Sequence, residues 1–185
     1  NEEWNRTHGT SGEDGGYDIK QTPDGGYICI GKTNNSGTGQ DTWLLKVNSE
    51  GYEEWDKSFS FNDPGFVEYG TSVSYTNDGG YIFSAIIGTY DENTYIVKTD
   101  SNGNEVWTVE HVSYYGYSII QSLDDNYVIA GFSHSDTYDF WLLIFDTDGN
   151  TIFEETYGGT GTDWAWDMQE TLDGGFILVG ETNSY

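Results

Sequence analysis

The chain has 185 residues, of which 35% are hydrophobic and 17% aromatic. Each buried aromatic ring removes on the order of 150–250 Å² from water, so a packed core is attainable despite 25 glycines, and disorder is disfavoured. Six Lys and Arg stand against 32 Asp and Glu, a formal net charge of −26, and a surface of that sign repels phosphate backbones and anionic lipid headgroups. Nucleic-acid binding and membrane association are therefore set aside, and no run approaches the ~20 apolar residues of a spanning helix.

In chain order, the first element is a short aromatic strand at Glu3-Trp4-Asn5, followed by a polar loop and a second strand over residues 17–22. Asp24-Gly25-Gly26 then reads as a tight turn, because glycine takes the positive φ that hairpin turns require. A third strand follows over residues 27–31, a polar loop, and a fourth strand over residues 42–47. The same order recurs with Trp55, Asp78-Gly79-Gly80 and strands over 81–85 and 94–98. A third copy carries Trp107, a decayed turn at Asp124-Asp125-Asn126, and strands over 127–131 and 140–145. A fourth carries Phe153, Asp173-Gly174-Gly175 and a strand over 176–180.

Two landmarks, the turn and the aromatic strand, thus keep one period of about fifty residues. The units run approximately over 2–52, 53–104, 105–150 and 151–185. Each reads as a four-stranded antiparallel meander, and the last lacks its fourth strand, which predicts fifteen strands in all. The third and fourth strands are apolar on both faces, so one sheet cannot bury itself and neighbours must stack. The expected fold is all-β: a β-propeller or propeller fragment of four-stranded blades, with almost no helix. The final strand would be supplied by further sequence, by another chain, or not at all.

Asp146-Thr147-Asp148-Gly149 and Asp100-Ser101-Asn102-Gly103 resemble the start of a calcium loop. An EF-hand needs its glycine at the sixth position and a bidentate Glu at the twelfth, and neither is present. Asp146, Asp148, Asp100 and Asn102 are therefore weak calcium candidates, with a backbone-driven hairpin turn as the simpler reading. His8, His111 and His134 fall in different units without zinc spacing, and no nucleophile elbow occurs. Cys29 is alone and lies in an apolar strand, which suggests a buried, inert thiol. Asn5-Arg6-Thr7 and Asn34-Asn35-Ser36 are glycosylation sequons, Asn34 being the better placed in a loop. Trp164 takes the position of Gly15, Tyr69 and Tyr115 in the other copies and is the candidate contact residue for a ligand or another subunit.

Residues Tyr157-Gly158-Gly159-Thr160-Gly161-Thr162-Asp163-Trp164-Ala165-Trp166, followed by Asp173-Gly174-Gly175-Phe176-Ile177-Leu178-Val179-Gly180-Glu181-Thr182, resemble the β-propeller repeats of secreted and cell-surface bacterial and archaeal proteins. The first copy, ending in Gly31-Lys32-Thr33, gives a second example, while the loops of the middle copies lack Gly-Gly-x-Gly. The resemblance implies a fold more than a function, since propellers serve as platforms, structural modules and enzymes. The expectation is a non-enzymatic extracellular or cell-surface module, structural or adhesive, that self-associates or adjoins further domains and uses no cofactor. The alternatives are a propeller that binds calcium or carbohydrate, and an enzyme with a site at the propeller centre.

Overall fold

The computed structural model describes residues 3–34, 39–61, 67–88, 93–134 and 137–184. Among them are 14 β-strands and no helix, arranged in four antiparallel sheets. Sheet 1 contains β1 (Gly15–Gln21), β2 (Tyr27–Thr33), β3 (Asp41–Val47) and β4 (Glu53–Phe59). Sheet 2 contains β5 (Val67–Tyr75), β6 (Tyr81–Gly88), β7 (Asn93–Thr99) and β8 (Glu105–Val112). Sheet 3 contains β9 (Tyr114–Gln121), β10 (Tyr127–Ser133), β11 (Phe140–Phe145) and β12 (Thr151–Tyr157), and sheet 4 contains β13 (Asp163–Glu170) and β14 (Phe176–Thr182). Every sheet is a meander in sequence order.

The sheets are offset from the sequence period by one strand. The aromatic strand that opens each unit is the last strand of the preceding sheet: Trp55 lies on β4 opposite Lys46, and Trp107 on β8 opposite Lys98. The short turn after β3 places that strand beside β3, whereas a longer connection leads on to β5. The segment around Trp4 is not a strand, because no β3-equivalent lies beside it to complete a ladder among the described residues. Phe153 belongs to sheet 3 on β12, so sheet 4 keeps two strands where three were expected.

Trp4 nevertheless makes the contacts of its counterparts. Its ring meets Tyr27 at 6.1 Å, as Trp55 meets Tyr81 at 5.7 Å and Trp107 meets Tyr127 at 6.1 Å. Each of these indoles also covers a turn glycine with positive φ: Gly51, Gly103 and Gly149 respectively.

The Asp-Gly-Gly turns close as expected. Thr22 N–H donates to Gly26 O at 2.9 Å, and the Asp24 carboxylate accepts from Gly26 N–H at 2.8 Å and from the Thr22 hydroxyl. Gly25, Gly79 and Gly174 have φ of 84°, 86° and 81°, and in the decayed copy Asp125 takes that position with φ 65°.

Consecutive sheets pack face to face, and the same positions meet each time. Ile28, Ile30 and Leu44 of sheet 1 pack on Val73, Tyr81, Phe83 and Val97 of sheet 2. Ile82 and Ile96 of sheet 2 pack on Ile119, Tyr127, Ile129 and Leu143 of sheet 3. Val128 and Ala130 of sheet 3 pack on Met168, Phe176 and Leu178 of sheet 4. Strands β2, β6 and β10 are buried or nearly so because both of their faces are covered.

Candidate functional site

Two surfaces stand out: a cavity where the first strands of the four sheets converge, and the uncovered faces at either end of the stack.

The cavity begins with an irregularity in pairing. Strands β1, β5, β9 and β13 each carry a β-bulge at the same point, which leaves Tyr17, Thr71, Tyr117 and Trp166 without a partner in the register. A bulge inserts one extra residue and re-aims its side chain. All four of these residues line one cavity of about 490 Å³, together with Asp18, Lys20, Tyr69, Ser72 and Asp167.

The residue after each bulge ties one sheet to the next. Asp18 Oδ2 accepts from Val73 N–H at 3.0 Å, Ser72 Oγ from Ile119 N–H at 3.3 Å, and Ser118 Oγ from Met168 N–H at 3.3 Å. The Ser72 hydroxyl also donates to Asp18 Oδ2 at 3.0 Å, and the Ser118 hydroxyl to Asp167 Oδ1 at 2.9 Å. Without these acceptors, strand N–H groups at the sheet junctions would be buried unpaired. The Thr71 hydroxyl adds a further link to Gly116 O at 2.6 Å.

Around this belt the rings pair. Tyr17 and Tyr69 lie 5.6 Å apart, and Tyr117 meets Trp166 edge-on at 5.1 Å. Tyr17 is 54% exposed and Trp166 38%. Lys20 Nζ lies 3.3 Å from Asp18 Oδ1. Sequence reasoning did not single out these residues. The signal was present, since Tyr17, Thr71, Tyr117 and Trp166 each stand seven residues before the turn aspartate, but a bulge is invisible in a strand pattern.

The end faces are the two unmatched halves of the sheet-to-sheet contact. In sheet 4, Ile177 and Val179 are 62% and 63% exposed, whereas their counterparts Ile28 and Ile30 are 0% and 1% exposed. In sheet 1, Ile19 is 56% exposed, whereas its counterparts Val73 and Ile119 are fully buried. Cys29 shares that face, half-buried, and burial first, then the Asp18 charge, pushes its thiol up to about 11.

The residues singled out from sequence are placed apart. Asp100 and Asp146 cap their own turns: Asp100 Oδ1 accepts from Asn102 N–H and Asn104 N–H, and Asp146 Oδ1 from Asp148 N–H and Asn150 N–H, all at 2.8–3.0 Å. The Asn104 and Asn150 side chains also bond these carboxylates and hold them below the ordinary aspartate range. No group of three or more His, Cys, Asp or Glu able to hold a metal occurs among the described residues.

Asn5 is exposed. Asn34 is half-buried after β2 with its N–H 3.4 Å from Asp14 Oδ1, and Ser36 of its sequon lies outside the described residues. Trp164 is half-buried, stacked on Phe132 at 5.4 Å and flanked by Tyr138 and Trp166. Its indole N–H is buried without a partner among the described residues. It therefore closes an aromatic cluster between sheets 3 and 4, and its neighbour Trp166 is the one that lines the cavity.

No family model matches the chain, and no curated protein matches it. Among solved structures, the chain is similar to a protein of unknown function from Bacteroides caccae, with 13% identity and a TM-score of 0.55. The match covers 82% of this chain and 50% of that one, so the chain corresponds to half the length of that structure. At this identity the likeness shows the fold alone.

Proposed function

We propose that the four sheets are consecutive blades of a β-propeller-type array, and that the chain is a non-enzymatic structural or adhesive module of an extracellular or cell-surface assembly. The observation that carries this reading is the recurring contact between sheets. It is made three times inside the molecule, and its two halves are left open at the ends as Ile19 on sheet 1 and Ile177 with Val179 on sheet 4. A surface that already packs against its complement within one chain fits the same complement in another, head to tail. The strongly acidic surface and the exposed Asn5 sequon suit an exported protein.

The test is association of the chain with itself. Sedimentation velocity from micromolar to millimolar concentration should show growing particles, and electron microscopy should show rings or filaments. Val179→Asp, on an exposed position of β14, should abolish growth without loss of fold. A chain that stays monomeric throughout, with its end faces intact, removes the support for this reading.

A further inference from the structure

We infer that the cavity at the converging first strands is a binding site for a neutral saccharide. The volume, about 490 Å³, lies within the range of about 300–1,000 Å³ that small-molecule pockets occupy. Its walls offer what a pyranose needs. The exposed rings of Tyr17 and Trp166 present flat apolar faces of the kind on which the C–H face of a sugar stacks. Asp167 has one oxygen engaged, Oδ1, with the Ser118 hydroxyl and Met168 N–H, which leaves Oδ2 as an acceptor for a sugar hydroxyl. Lys20 Nζ, on the opposite wall, has donors remaining beyond its contact with Asp18.

Charge decides between ligand classes. Aromatic rings with a carboxylate also suit a quaternary ammonium group, but the Lys20 ammonium stands in the same cavity and opposes a cation. Asp18, Asp167 and the net charge of −26 oppose an anion. A neutral polyol is the ligand that both walls accept. The site also has a rigid foundation: all four cavity-lining bulges sit directly beside the belt of hydrogen bonds between sheets, so the rings are positioned before a ligand arrives.

The inference does not rest on end-to-end association, and its test is run on Val179→Asp chain at low concentration. Malto-, cello-, manno- and xylo-oligosaccharides are titrated while tryptophan fluorescence and calorimetric heat are recorded, with choline and galacturonate oligomers as cationic and anionic probes. At least one neutral series should bind saturably. Trp166→Ala and Tyr17→Ala should each weaken it by about tenfold or more. Trp166→Phe should keep most of the affinity, and Tyr157→Ala, an exposed aromatic on β12, should leave it unchanged. Because Tyr17 and Trp166 are exposed, loss of fold is checked by circular dichroism, and Trp166→Phe serves where the alanine variant is unfolded. The inference is overturned if no neutral series binds at millimolar concentration, if choline or galacturonate binds more tightly, or if binding is indifferent to Tyr17 and Trp166.

Discussion

Lys98 Nζ lies 2.7 Å from the point that a Cβ on Gly80 would occupy, so the ammonium group and a side chain at residue 80 exclude one another. Lys46 and Gly26 repeat this at 2.6 Å. Both lysines are 3% exposed and bond the turn aspartate, Lys98 to Asp78 at 2.8 Å and Lys46 to Asp24 at 2.9 Å. In sheet 3 the lysine position is Ile144, opposite Val128, and the glycine position is Asn126. The decayed turn of the third copy and the missing lysine are thus one change seen at two places.

Gly79 and Gly80 should therefore respond differently to alanine. Gly79 has positive φ and open space around its Cβ position, so Gly79→Ala costs only the left-handed backbone, about 1–2 kcal/mol. Gly80→Ala also displaces the buried ammonium and should cost at least about 1 kcal/mol more. The double change Gly80→Ala with Lys98→Ile copies sheet 3 in part and should recover much of that excess. Urea unfolding of the four chains measures the coupling, and strict additivity would show that the lysine and glycine are independent.

Acid should weaken the same turns. Hydrogen bonds from Thr22 and Lys46 lower Asp24 to about 2; at Asp78, burial opposes the shift, but Lys98 and Thr76 outweigh it and bring the group to about 2 as well. A carboxylate depressed from 3.8 stabilises the fold above that value, and the contribution disappears as pH falls from about 4 to about 2. Both groups are more than half exposed, so solvent screening keeps the effect small. The urea midpoint should drop across that window, and Asp24→Asn with Asp78→Asn should flatten the slope.

Ser72→Ala should be costly for so small a change. It removes the acceptor of Ile119 N–H and a donor to Asp18 at the junction of three sheets. A buried donor left unpaired costs about 1–3 kcal/mol. Ser74→Ala, two residues along β5, loses only a 3.4 Å contact to Tyr75 O and should be close to neutral. Equal effects at the two serines would show that the belt contributes nothing to holding the sheets together.

The thiol of Cys29, raised to about 11, should be almost wholly protonated at pH 8. Since the thiolate is the nucleophile, alkylation by iodoacetamide should be far slower in the native chain than in urea. Mass spectrometry of timed samples gives both rates. Similar rates in the two states would mean that this face of sheet 1 leaves the sulfur open to solvent.

Much of the fold was legible because a repeated sequence states its own rules several times. The Asp-Gly-Gly turns, the apolar runs Tyr27–Thr33 and Tyr81–Gly88 and the antiparallel order follow from turn chemistry and alternation alone. Sheet boundaries did not, because a period has no intrinsic starting point. Trp55 marks a unit equally well as its first strand or as the last of the sheet before, and only the ladder to Lys46 decides. The cavity was harder still. Its residues lie in strands whose pattern records which side chains alternate, while the bulges at Tyr17 and Trp166 break that alternation through the backbone. Trp164 drew notice for being unlike its counterparts, but that difference reflects the local stacking on Phe132.

The one-strand offset between sequence unit and sheet has a consequence for how such a gene can change. Unequal crossing-over between similar repeats deletes or adds one full period wherever the exchange falls. Because every period contributes one strand to the sheet behind and three to the sheet ahead, the product still closes each interior sheet with four strands. Copy number can then drift without leaving a broken sheet at the seam, and the tryptophan that crosses each boundary always finds a tyrosine and a turn glycine waiting on the other side.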